Sequence, residues 1–115
     1  MREFDSGATR DDDTGKLDYE GYLSPDVLFQ FALYMEEHGH TPNGPRASDN
    51  WKKGIPKDEL LKSLLRHVMD IWMLHRDVNF VRPESGDKPT EWEAFAGALF
   101  NLQALWHSYI QDEKK

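Results

Sequence analysis

Twice in this chain apolar residues return at helical spacing over roughly twenty positions, each run bounded by helix start and stop signals. From about Pro56 to Arg76 the stripe is Leu60, Leu61, Leu64, Leu65, Val68, Ile71 and Trp72, with Lys62, Arg66, Asp70 and Asp77 opposite. The second run opens on Thr90-x-x-Glu93, a capping box, and extends to about Gln111. Its expected core face is Trp92, Phe95, Leu99, Leu102, Leu105, Trp106 and Ile110. Earlier in the chain Ser24 caps a third helix, with Pro25 in its first position and Asp26 in its first turn. That helix ends near His38, before Gly39. Val27, Phe31, Tyr34, Met35 and His38 share one of its faces; Phe29 and Leu33 form a second stripe. No strand alternation or repeat competes with this pattern, so the expected class is all-α.

The intervening segments are turn-rich. Residues 1–23 read as an irregular N-terminal arm pinned by Leu17, Tyr19, Tyr22 and Leu23, part of the same domain as the helical region 24–115. Residues 39–55 and 77–89 read as loops. A chain of 115 residues supports one core. Three main helices make a thin bundle, so a homo-oligomer is expected to complete it.

Charge narrows the partners. With a net charge of −7 the chain is a poor candidate for duplex nucleic acid, which needs a dominant basic face. It has no cysteine, hence no disulfide or thiolate chemistry. No segment approaches the ~18 apolar residues of a membrane span, and the N-terminus does not read as a signal peptide. A soluble, cytoplasmic protein is expected, with no membrane partner. A small anion stays compatible if cations gather locally, and "SDNWKKGIPKDELLKSLLRH" gathers them: lysines, Arg66 and His67 follow the indole of Trp51. The expected ligand is a nucleotide, its base or sugar on the ring and its phosphates on the cations.

Several residues are open to two readings. His67 lies about 60° from Asp70 on the helical wheel; the two suit a metal ion or an oriented base, or His67 is a satisfied boundary histidine. Arg66 and Asp70, at i and i+4, are an exposed ion pair or a phosphate contact with its neighbour. Glu93, Gly97, Asn101, Ala104 and Ser108 fall within about 80° of one another. That face is either a close helix contact, with Asn101 bonding backbone, or the wall of a polar pocket. Glu36, Glu37, His38, His40 and His75 carry weaker signals, and Gly7, Gly15 and Lys16 lack phosphate-loop spacing.

The strings "FDSGATRDDDTGKLDYEGYLSP", "DNWKKGIP", "SLLRH" followed by Asp70, "PESG" and "ALFN" occur in an order that resembles small phage-type dATP/dGTP diphosphohydrolases, relatives of the all-α MazG-like nucleoside triphosphate pyrophosphohydrolases. The resemblance runs from Phe4 to about Leu105, and Asn-Trp-x-Lys-Gly-x-Pro followed by Arg-His is its most specific part. It implies hydrolysis of a purine deoxynucleoside triphosphate to monophosphate and pyrophosphate, with Mg²⁺ or Mn²⁺, adjusting the nucleotide pool for phage DNA synthesis in the host cytoplasm. The wider superfamily's E-x-x-E and E-x-x-D metal spacings do not stand here. Within the matching strings the resemblance implies Lys16, Asp18, Asn50, Trp51, Lys53, Arg66 and Asn101 at the substrate, and Asp49, His67 and Asn101 at the metal. Asp70 and Glu93 join His67 as catalytic and metal-binding candidates on helix geometry alone. The competing expectations are a non-catalytic nucleotide-binding or helical interaction protein, and a phosphohydrolase with a histidine-based metal site.

Overall fold

A computed structural model describes residues 2–115. The chain is predominantly helical, and three long helices carry most of it: α2 (Pro25–His38), α3 (Lys57–His75) and α4 (Glu91–Glu113). The arm is less irregular than expected. It holds a two-residue antiparallel pair, β1 (Arg2–Glu3) with β2 (Thr9–Arg10), and one helical turn, α1 (Tyr19–Tyr22). The segment 39–55 is likewise more than a loop. β3 (His40–Thr41) pairs with β4 (Gly44–Pro45) across a two-residue turn, and a 3₁₀ turn follows at Asn50–Lys53. Two small sheets therefore accompany the helices.

The helix ends follow the capping chemistry. Ser24 Oγ accepts from the Val27 amide at 3.2 Å. The Thr90 box closes in both directions: the Glu93 amide donates to Thr90 Oγ1 at 3.2 Å, and the Thr90 amide donates to Glu93 Oε1 at 3.3 Å. Gly54 has φ +113°, a conformation that favours glycine, where the 3₁₀ turn is redirected into α3.

α3 and α4 are antiparallel, with Lys57 paired to Asp112 at one end and His67 against Gly97 further along. They meet on an unexpected face. The buried residues of α4 are Ala94, Ala96, Gly97, Asn101 and Ala104, whereas Trp92, Phe95, Leu102, Trp106 and Ile110, assigned to the core from periodicity, are exposed. On α3, Leu60 and Asp70 are buried while Leu61, Leu65, Val68 and Trp72 are exposed, so Asp70 lies at the helix contact and not on a solvated back. The physical reason is the stripe of small residues on α4, which lets the backbones approach closely. Periodicity finds the apolar stripe but does not say whether the same chain covers it. α2 packs on α4 through its half-buried Phe31, Tyr34 and Met35 face, leaving Phe29 and Leu33 outside as a second stripe.

Candidate functional site

His67 is seated by the absence of a side chain opposite it. A Cβ on Gly97 would lie 2.5 to 2.7 Å from the Cε1, Nδ1 and Nε2 atoms of the ring, so only glycine admits the imidazole there. The group for which the small-residue face of α4 makes room is thus this ring. His67 Nδ1 is buried with no hydrogen-bond partner. Burial pushes the His67 pKa below its ordinary value, opposed by the Asp70 carboxylate one turn along. A neutral imidazole with an unused nitrogen can take a proton or ligate a metal.

Asn101 is buried beside it. Its Nδ2 donates to the Gly97 carbonyl at 2.7 Å, which satisfies the packing reading. The amide also lines a cavity of about 710 Å³, which suits the pocket reading. This cavity lies between α2, the segment 45–51, α3 and α4. Its walls include Phe31, Tyr34, Arg46, Asn50, Trp51, Ser63, His67, Gly97, Phe100 and Asn101. Trp51 stands edge-on to His107, with ring centroids 5.1 Å apart, and to Phe100 at 6.2 Å. Those contacts dock the 3₁₀ turn on α4. The Lys52 ammonium lies 5.6 Å from the indole centroid.

Four of the sequence-derived residues, Asn50, Trp51, His67 and Asn101, thus meet at one cavity. Asp70 is buried one turn from His67 but is not on the cavity wall. Glu93 lies on a different cavity, of about 1060 Å³, between α2 and α4. Its Oε1 is engaged by Thr90 and its Oε2 lies 3.7 Å from the Arg82 guanidinium. Asp49, Lys53 and Arg66 are exposed and line neither cavity. Arg66 makes no ion pair with Asp70 among the described residues. Lys16 and Asp18 are exposed on the arm, and Asp18 is occupied as the cap of α1, accepting from the Gly21 amide at 2.9 Å.

Sequence reasoning passed over Arg46 and Arg82. Arg46 reaches the cavity because its guanidinium donates to the His38 carbonyl at 2.7 Å, closing the end of α2. Arg82 is the cation of the charge cluster near Asp70, paired with Asp87 at 2.8 Å and near Glu93. A single arginine in a loop carries no periodic signal, so neither was visible from spacing.

For a divalent ion the donor set is partial. His67 and Asp70 are one turn apart, Glu93 is engaged elsewhere, and no three His, Asp or Glu side chains converge among the described residues. Of the pair only the Asp70 carboxylate is an oxygen ligand of the kind Mg²⁺ takes, the rest of its shell falling to phosphate oxygens and water, whereas imidazole suits softer metals. No helix among the described residues is long and apolar enough to cross a membrane. Comparison with known proteins finds no matching family model, no similar curated protein and no similar solved structure.

Proposed function

We propose that the 710 Å³ cavity binds a purine deoxynucleoside triphosphate, dGTP or dATP, and that the chain hydrolyses it to the monophosphate and pyrophosphate with Mg²⁺ or Mn²⁺. The observation that carries this reading is the convergence of Trp51, Asn50, His67 and Asn101 from three separate segments, with an unpartnered buried imidazole nitrogen among them. Trp51 offers a π-face to the base. Arg46, on the cavity wall, and Lys52, beside the indole, offset phosphate charge. His67 accepts a proton from the water that attacks the α-phosphorus; the bond from that phosphorus to the bridging oxygen breaks, and pyrophosphate leaves. A divalent ion, when bound, neutralises charge on the phosphate chain. Asp70, one turn from His67 but off the cavity wall, would have to turn toward the cavity to hold it, and Asn101 on the wall is a neutral oxygen donor. The setting is the cytoplasm, that of the host cell if the gene is a phage's, where the reaction adjusts the nucleotide pool.

Incubation with each deoxynucleoside triphosphate and Mg²⁺ or Mn²⁺, followed by chromatography of the products, tests this. Monophosphate with pyrophosphate is expected from a purine substrate; inorganic phosphate or tripolyphosphate as product would refute it. The engagement of Glu93 by Thr90 and Arg82 favours a second reading, a nucleotide-binding protein without turnover. That reading predicts saturable dGTP binding and no dGMP.

A further inference from the structure

The surface of this chain is too large and too greasy for a lone molecule. Its accessible area is 9563 Å², against about 6500 Å² for a folded monomer of its mass. Its radius of gyration is 19.3 Å, against about 13 Å for a compact domain of this length. The excess, roughly 3000 Å², includes the exposed arm as well as the helix faces; one partner's share of an obligate interface is about 1000–2500 Å².

One stripe has the form of a seam. Trp92, Phe95, Leu99, Leu102, Trp106 and Tyr109 follow one another on α4 at alternating spacings of three and four, the pattern of coiled-coil contact positions. Trp92 is 62%, Phe95 48%, Trp106 66% and Tyr109 56% exposed. At roughly 150–250 Å² per full aromatic side chain, those four alone present about 500 Å². Leu102 and Ile110 add to this, approaching the ~800 Å² that each partner contributes to a standard interface. The flanking positions, Glu91, Ala96, Ala98, Gln103, Leu105, Ile110 and Asp112, carry two carboxylates, and Lys57 pairs with that of Asp112. In a chain of net charge −7 that lane, with Glu91 at its end, is where a like-charged copy can approach with little repulsion. The 1060 Å³ groove runs beside it, walled by Trp92, Phe95 and Leu99 on one side and by Phe31 and Leu33 on the other.

We propose that a second copy of this chain covers the seam, α4 against α4 about a twofold axis, with side chains of each copy entering the groove of the other. The sequence expectation of self-association thereby acquires a specific surface, independent of the proposed activity. The outward stripe of α3, with Leu61 and Trp72, stays outside this interface.

Sedimentation equilibrium of the full chain should give twice 13.4 kDa at micromolar concentration. Trp106→Glu should weaken association at least about a hundredfold, as loss of a central aromatic anchor does, while Trp72→Glu should leave it within a fewfold. Because the chain has no cysteine, Leu102→Cys or Trp72→Cys introduces a single thiol. A short bis-maleimide should link Leu102→Cys chains into dimers and leave Trp72→Cys chains single. This readout still decides if Trp106→Glu fails to fold. A monomer at tens of micromolar would overturn the proposal and assign the seam to a different partner. So would cross-linking at position 72 in place of 102, or dissociation by Trp72→Glu alone.

Discussion

Replacing Gly97 by alanine should loosen this protein, although the same change in an ordinary helix interior tightens it. Alanine is better than glycine in a helix by about 0.8–1.0 kcal/mol, and Gly97 is well inside α4. The added methyl, however, would sit 2.5 Å from His67 Cε1 and 2.6 Å from Nδ1, far inside van der Waals contact. Either the imidazole swings away or the helices part, and such overpacking costs about 1–3 kcal/mol. The net expectation is a loss of up to about 2 kcal/mol, a fall of several degrees in Tm for a chain of this size. Thermal and urea unfolding read the stability, and the histidine ring signals in NMR read the site. A ring moved into solvent should titrate closer to the ordinary histidine value, because burial is the main cause of its lowered pKa. A Gly97→Ala protein stabilised by about 1 kcal/mol, with the His67 titration unchanged, would refute the claim that this ring lies on the glycine.

Three further outcomes follow from the same geometry. Since the folded His67 pKa lies below its unfolded value, its contribution to stability is complete above about pH 6.5 and is lost as the pH falls through the folded value. Urea midpoints at pH 7.5 and 5.5 should therefore differ more for the native chain than for His67→Gln, and equal differences would count against the buried neutral ring. Trp51→Ala should weaken dGTP binding about 5- to 150-fold by calorimetry, corresponding to ~1–3 kcal/mol of base stacking; unchanged affinity would place the base elsewhere. Asp70→Asn should lower turnover by about 10²–10⁴-fold with helicity and melting preserved, and retained metal-dependent turnover would show that another carboxylate holds the ion.

The helices were legible because their ends are chemical. Ser24, Pro25 and the Thr90–Glu93 box act locally and can be read without knowing the fold. What each helix packs against was not legible. Hydrophobicity ranks Trp106 and Phe95 as core, yet the contact with α3 is set by Gly97, Ala94 and Ala104, whose lack of bulk matters more than their apolarity. At the cavity, His67 and Asn101 were visible as unusual polar choices on helices, and Asn50 and Trp51 as an aromatic turn beside cations. Glu93 looked like a ligand because spacing cannot tell that a loop arginine eleven residues away, or a cap, already occupies its oxygens.

Glu93 has both carboxylate oxygens engaged. One of its oxygens fastens the start of α4 and the other faces Arg82, the residue that also grips Asp87 within the connecting loop. The chain therefore turns back between its two longest helices on a knot of charge, with Phe80 half-buried and Pro89 buried in the same loop. The large side chains of α4 remain on the outside of the molecule, where another surface can meet them.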